Sequence, residues 1–147
     1  MTIDQPFFDT PEAAAMAGFP LRYCRVVASA QEGDDAVVVL DTGAPGRPYL
    51  YAEAPWRRNE RWYGGSGGNA LGWTLTDDAG NLGTLAAWDY APEDADRVRI
   101  IFRDEVREVP VAQGTYLTVW WRIPCPEDDW PRAAAFRVAG IWMPVAP

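Results

Sequence analysis

Hydrophobic and polar positions alternate most clearly between residues 97 and 122. Val98, Ile100 and Phe102 occupy every second position, a polar turn follows, and the β-branched and aromatic run 115–121 comes after a turn that contains glycine. Period-two alternation broken by such turns is typical of antiparallel strands with one face in the core. The pattern predicts a three-stranded meander with these three side chains facing inward.

The first half of the chain begins with a helix signal and continues with strand patterns. Thr10 is a suitable N-cap, Pro11 suits the first helical position, and Gly18 and Pro20 end the alanine-rich run that follows. This predicts one short N-terminal helix. The continuous apolar run at 36–40 lies between turn signals, which predicts a strand buried on both faces.

The glycine-rich stretch at 64–70 divides the predicted elements into two groups. We predict a helix plus antiparallel meander over 1–63, a connection over 64–70, and a β-sandwich half over 71–147, although the halves could form one continuous domain. A bulged strand is the alternative for the glycines, and no helix pattern follows them as a phosphate-binding loop requires. The expected fold is mainly β (α+β): an antiparallel β-sandwich or meander with one short N-terminal helix.

The start of the C-terminal meander has the pattern A-P followed by A-x-x-V-x-I. It comprises Ala91, Pro92, Ala95, Val98 and Ile100. In these residues the C-terminal half resembles uncharacterised bacterial immunoglobulin-like β-sandwich domains. The resemblance implies an immunoglobulin-like sandwich and implies no activity. The helix followed by a meander in the first half loosely resembles small α+β rolls such as cystatins.

Composition and charge restrict the possible functions. The chain has 147 residues, 48% of them hydrophobic, and a net charge of -8. The negative charge argues against nucleic acid and anionic membranes as partners. The chain contains neither His nor Lys, so Ser-His-Asp triads, His-ligated metals and Schiff bases are excluded. We therefore expect no catalytic residues, no cofactor and no metal, and lean towards a protein that is not an enzyme.

Cysteine usage and the N-terminus bear on location. Cys24 and Cys125 are a lone, widely spaced pair, and the first twenty residues lack the basic and apolar regions of a signal peptide. We expect a cytoplasmic protein with reduced thiols. The acidic clusters are expected to be solvated turns, with a calcium site at 77–81 as the alternative.

Tryptophan and arginine supply the candidate binding residues. Trp120 and Trp121 are adjacent, so they must point to opposite faces of a strand, and one of them should leave the core. Parity places Arg99, Arg103 and Arg107 largely on the outer face of the meander. Arginine mixed with tryptophan is typical of protein interfaces. The predicted interaction surface comprises Trp56, Arg58, Trp62, Arg99, Ile101, Arg103, Trp120 and Trp121.

Three functions follow from these residues. The first is a non-enzymatic interaction protein, such as an adaptor or immunity-like protein, that uses this surface for a protein partner or for self-association. The second is a small-molecule or carbohydrate binding module with an aromatic pocket formed by Trp62, Tyr63, Trp73 and Trp88. The third is a carboxylate-based enzyme, for which two acids would have to face each other across a cleft.

Overall fold

The computed structural model describes residues 5–19, 24–43, 49–68, 72–77 and 79–146. The chain is mainly β, with antiparallel sheets and one short helix, as the alternation of hydrophobic positions predicts. Within the described ranges, no helix is long and apolar enough to cross a membrane.

Two compact units divide the chain, Met1–Thr74 and Leu75–Pro147. The division falls inside a strand, a few residues after the stretch at 64–70 where the sequence predicts a connection. Each unit is described below by itself.

The first unit consists of one helix and one antiparallel sheet in the order β1-β2-β3-β4, here called the first sheet. Its elements are α1 (Pro11–Met16), β1 (Arg25–Glu32), β2 (Asp35–Asp41), β3 (Leu50–Arg58) and β4 (Arg61–Gly68). The helix begins as predicted, because the Thr10 hydroxyl accepts a hydrogen bond from the Ala13 amide at 3.1 Å.

Strand β2 is buried on both faces, which confirms the prediction for residues 36–40. Val38 and Leu40 pack beneath α1 in a cluster with Ala15 and Cys24. Val37 and Val39 point to the opposite face and are equally inaccessible to solvent. A strand of this kind can carry a continuous apolar run, because neither of its faces meets water.

The glycine-rich stretch takes the form of the alternative, a bulged strand, because Gly64–Gly68 belong to strand β4. Residues 69–71 lie outside the described part of the chain. A Cβ atom on Gly65 would lie 1.8 Å from the carbonyl oxygen of Ala54, beside a register shift between β3 and β4. One on Gly67 would lie 2.8 Å from the Tyr51 ring. These two glycines therefore permit a close approach of neighbouring groups in a sheet.

The second unit contains two sheets. Strand β5 (Trp73–Asp77) of the three-stranded sheet starts just before the division that follows Thr74. The second sheet has the order β5-β6-β9 and the third sheet has the order β11-β10-β7-β8. The strands are β5 (Trp73–Asp77), β6 (Leu82–Tyr90), β7 (Ala95–Phe102), β8 (Glu105–Pro110), β9 (Thr115–Pro124), β10 (Arg132–Val138) and β11 (Ile141–Pro144).

The second and third sheets face each other across a buried layer. The Phe102 ring lies edge-on to the Trp120 ring with their centroids 5.1 Å apart, and the Tyr116 and Phe136 rings are 6.0 Å apart. The inward parity predicted for β7 is confirmed, since Phe102 is buried and both Val98 and Ile100 are fully inaccessible. These contacts form the core of a small β-sandwich.

The predicted three-stranded meander is only partly present. Strands β7 and β8 pair, but β9 pairs with β6 in the opposite sheet. A tight turn with a bridge between Ala112 and Thr115 carries the chain across. Strand β8 thus becomes the edge of the third sheet, and its inward-pointing charged residues are the kind that keep an edge from pairing further.

Candidate functional site

An open cleft in the first unit combines aromatic and cationic side chains. It lies between the β3–β4 hairpin and the N-terminal segment and has a volume of about 620 Å³. We call it the hairpin cleft. It is lined by Gln5, Pro6, Phe7, Phe8, Trp56, Arg58, Arg61 and Tyr63.

The turn of the hairpin determines which side chains share the cleft. Asn59 and Glu60 have φ angles of 52° and 64°. A two-residue loop with both residues in the left-handed region is a type I′ turn, whose twist matches that of paired strands. It sets Arg58 opposite Arg61, and the next pair on the same face is Trp56 opposite Tyr63. The cleft therefore has a cationic end at the turn and an aromatic wall behind it.

The aromatic wall is a stacked pair of rings. The Trp56 and Tyr63 centroids are 4.5 Å apart, and the ring planes are inclined by 22°. Both residues are half-buried. The pair is thus supported by its neighbours and still reaches the cleft.

The N-terminal segment forms the opposite side of the cleft and is fixed to β4 by two backbone hydrogen bonds. The Phe8 amide donates to the Trp62 carbonyl at 2.8 Å, and the Trp62 amide donates to the Phe8 carbonyl at 2.9 Å. The Phe8 ring packs against the buried cluster of Ala14, Ala36 and Trp62. Phe7 is 49% exposed, and the Arg61 guanidinium lies 4.2 Å from its ring centroid.

The two arginines at the turn have no acidic partner within the described ranges. Six of the eleven arginines that the structure describes form ion pairs with carboxylates, and Arg58 and Arg61 are among the five that do not. Arg57, next to Arg58 in sequence, is one of the six and contacts Asp34 at 3.0 Å. Like charges directly opposite each other on a sheet repel, so the Arg58–Arg61 pair is a local cost to stability.

The structure places the predicted interaction surface in two different units. Trp56 and Arg58 line the hairpin cleft, whereas Arg99, Ile101 and Arg103 belong to the second unit. Arg99 pairs with Glu108 across the outer face of the third sheet at 3.2 Å and lies 3.8 Å from the Trp142 ring centroid.

Two further arginines of the second unit form ion pairs, whereas Arg97 and Arg132 form none within the described ranges. Arg137 contacts Asp96 at 2.7 Å, and Arg103 contacts Asp129 at 3.7 Å. The hydrogen bond from Arg137 lowers the pKa of Asp96. The outer face thus neutralises much of its own positive charge, which leaves less of it for a partner.

Trp120 lies in the core of the sandwich and is only 6% exposed. Its indole N–H donates to a carboxylate oxygen of Glu105 at 2.8 Å, and the Arg107 guanidinium lies 4.2 Å from its ring centroid. Its neighbour Trp121 is half-buried. Adjacent positions must face opposite ways, but parity does not say which of the two faces the core.

The prediction that Arg107 lies on the outer face is wrong. Arg107 pairs with inward-facing Ile100 across β7 and β8, and it donates hydrogen bonds to the Thr118 hydroxyl at 2.9 Å and the Val119 carbonyl at 2.8 Å. It also forms an ion pair with Glu105. The two-residue turn between β7 and β8 sets this register, and Arg107 therefore joins the two sheets.

The predicted aromatic pocket is divided in the same way. Tyr63 lines the hairpin cleft, but Trp62 is 2% exposed and lies in the core beside α1. Trp73 and Trp88 are half-buried in the neighbouring strands β5 and β6 and do not line the cleft. Arg61 and Phe7 are cleft residues that sequence reasoning missed. The sequence Arg-Asn-Glu-Arg allows a two-residue turn, which could have revealed the arginine pair.

Titratable groups elsewhere in the first unit bear on reactivity. Glu53 on β3 is half-buried, and burial raises its pKa to about 7 against the opposing effect of a hydrogen bond from the Gly65 amide. Burial also raises the pKa of the Cys24 thiol, and the charges of Asp41 and Glu53 add to the shift. A thiol of raised pKa is a poor nucleophile, so Cys24 has the character of a structural residue.

Within the described ranges, no group of three or more His, Cys, Asp or Glu side chains could hold a metal ion. The weighed calcium site at 77–81 includes Asp78, which lies outside those ranges.

Comparison with protein-family models, with curated proteins and with solved structures gives no match. The resemblance of the C-terminal half to bacterial immunoglobulin-like domains therefore stays a prediction. The function proposed below is inferred from the hairpin cleft and from the chemistry of its side chains.

Proposed function

We propose that the protein is a non-enzymatic binding protein and that the hairpin cleft holds a flat, apolar part of its ligand. The observation that carries the proposal is the stacked Trp56–Tyr63 pair, half-buried in a cleft of about 620 Å³. Ligand sites are typically concave and apolar, with a few polar groups that fix orientation. The sequence predicts a small-molecule site as one alternative, and the proposed site keeps Tyr63 from that prediction and replaces the other aromatic residues by Trp56.

The construction of the cleft favours a preformed site. Its aromatic wall stands on two hydrogen-bonded strands, and its other side is fixed to β4 by the backbone bonds between Phe8 and Trp62. A site on rigid elements loses little conformational entropy when the ligand arrives. A planar ring can add to the existing stack, and such aromatic pairs contribute about 0.5–1.5 kcal/mol beyond the area they bury.

The test is a titration with a flat aromatic compound followed by NMR at the tryptophan indole N–H groups. Addition of 2-naphthylacetamide to millimolar concentration should shift the Trp56 signal, and Trp56→Ala should abolish binding. Trp130→Ala is the matched control, because Trp130 is 46% exposed and lies in the second unit outside the cleft. Equal binding by both variants would overturn the proposed site, and so would no shift of the Trp56 signal with any aromatic probe.

A protein partner or a second copy bound to the outer face of the third sheet is the second candidate function. One exposed apolar side chain on this face favours it: Val106 on β8 is 59% exposed and lies opposite Ile101 of β7. Trp142 lies on the same sheet between Arg99 and Arg137. Sedimentation velocity at increasing concentration tests self-association, which Val106→Glu should weaken.

The proposed setting is the cytoplasm. Its support is that Cys24 and Cys125 are both free thiols, as the reducing conditions of that compartment maintain. Secretion of the protein with a disulfide bond between these two residues would contradict the proposed location.

A further inference from the structure

We propose that the ligand of the hairpin cleft carries a carboxylate or phosphate group and that Arg58 and Arg61 bind it. This inference rests on the proposed function, since it assigns the chemical class of the ligand that the cleft would hold. The class is a planar aromatic ring with one anionic substituent, that is, an aryl carboxylate or an aryl phosphate.

The guanidinium groups of Arg58 and Arg61 lack a counter-charge within the described ranges. Arg58 and Arg61 stand directly opposite each other across the hairpin, and the side chain of neither forms an ion pair or hydrogen bond with another residue of the described ranges. Both are exposed. Two guanidinium groups held side by side repel each other in the free protein, and a bound anion removes that repulsion while accepting hydrogen bonds from both.

The chain as a whole is acidic. The protein has 21 acidic residues against 13 arginines, yet these two arginines face each other across a hairpin without a carboxylate between them in the described ranges. Arg57 shows the ordinary outcome on the same strand, where Asp34 lies 3.0 Å away. The field of a chain with net charge -8 does not attract anions, so selectivity for an anion must come from these two residues locally.

The Arg61 guanidinium lies over an aromatic ring of the cleft. Its guanidinium lies 4.2 Å from the ring centroid of Phe7. Guanidinium is planar and presents its N–H groups at its edge, so a group placed over a ring can still donate two parallel hydrogen bonds to a carboxylate or phosphate. Phe7 thereby positions the donor at the mouth of the cleft.

The spacing of the two pairs defines the shape of the ligand. Successive side chains on one face of a strand are about 7 Å apart along it, so the arginine pair lies about 7 Å from the aromatic stack. A ring stacked on Trp56 or Tyr63 would therefore place its anion one or two bonds beyond the ring edge. Arylacetates and aryl phosphates have this reach.

The experiment compares two ligands of equal shape that differ in charge. Isothermal titration calorimetry measures the affinity of the full chain for 2-naphthylacetate and for its neutral amide, 2-naphthylacetamide. Charge-assisted hydrogen bonds from two arginines should make the acid bind about tenfold to a hundredfold more tightly. The double variant R58Q/R61Q should reduce that ratio to about one. Arg132→Gln, which removes an exposed charge from the second unit, should preserve the ratio.

Other results separate this inference from the proposed function. Equal affinities for acid and amide in the unaltered protein would overturn the anion assignment and leave the aromatic cleft intact. Binding of neither compound would overturn both. Inorganic phosphate alone tests the contribution of the ring, and binding as tight as that of 2-naphthyl phosphate would contradict the combined ring-and-anion ligand. Each variant is titrated under conditions in which its urea unfolding curve shows it to be fully folded, which excludes loss of folding.

Discussion

Replacing Glu53 with Gln should stabilise the first unit at pH 8 and should change its stability little at pH 5. Glu53 is half-buried on β3, where burial raises its pKa from 4.5 to about 7. The folded protein thus binds a proton more tightly than the unfolded chain does. Stability should fall as the pH rises from about 4.5 through about 7, because Glu53 ionises freely in the unfolded chain while burial opposes its ionisation in the folded protein.

The size of the effect follows from the shift. One pKa unit corresponds to 1.36 kcal/mol, so the whole shift sets an upper limit of roughly 3 kcal/mol. Partial exposure of the side chain screens part of this, and we expect about 1–2 kcal/mol. Gln is the suitable replacement, because its side-chain oxygen can still accept the hydrogen bond from the Gly65 amide.

The assay is urea unfolding of both proteins at pH 5 and pH 8. The quantity of interest is the difference in unfolding free energy between variant and parent, since that difference cancels the titration of all other groups. It should increase by about 1–2 kcal/mol from the lower to the higher pH. Glu32→Gln is the control, an exposed Glu on β1 of the same unit, and its difference should stay constant. The reasoning is refuted if Glu53→Gln also gives the same difference at both values.

Two further predictions concern packing. Arg107→Ala should lower the unfolding free energy by about 2–3 kcal/mol in urea titrations, because it removes the hydrogen bonds that join two sheets, whereas Arg132→Ala should change it by less than about 0.5 kcal/mol. Part of the Arg107 effect should be lost in acid, since Arg107 lowers the pKa of Glu105 and that contribution disappears as the carboxylate is protonated. Gly65→Ala should unfold the first unit or cost more than about 3 kcal/mol by thermal unfolding, because its methyl group would collide with a backbone carbonyl. Gly18→Ala should instead be neutral or stabilising by up to about 1 kcal/mol, since nothing lies within 4 Å of its added atom.

The parts of the fold that depend on local pattern could be predicted. The N-cap at Thr10, the two-sided burial of β2 and the inward parity of Val98 and Ile100 each follow from residues close together in sequence. The pairing of β9 with β6 could not be predicted, because the choice of partner depends on contacts between distant strands. The same alternation is compatible with either sheet.

The glycine-rich strand shows why composition alone does not distinguish a connection from a bulged strand. Glycine permits flexibility, but it also permits the close approach that Gly65 makes to the Ala54 carbonyl and that Gly67 makes to the Tyr51 ring. The two situations have the same sequence signature. Only the neighbouring strand distinguishes them.

The candidate site was partly visible in the sequence. Trp56, Arg58 and Tyr63 were named as binding residues, and all three line the hairpin cleft. Phe7 could not be named, because its place depends on the N-terminal segment pairing with β4. Trp120 lies in the core. Alternation along a strand requires one of two adjacent tryptophans to leave the core but does not determine which of the two does so.

The most direct measurement of the central claim is a set of intermolecular NOEs between 2-naphthylacetate and the full chain. We predict contacts from the naphthyl protons to Trp56 and Tyr63, with the carboxylate end of the ligand nearest Arg58 and Arg61. Contacts to Trp142 on the third sheet in their place, or an unchanged orientation of the carboxylate in R58Q/R61Q, would contradict the account.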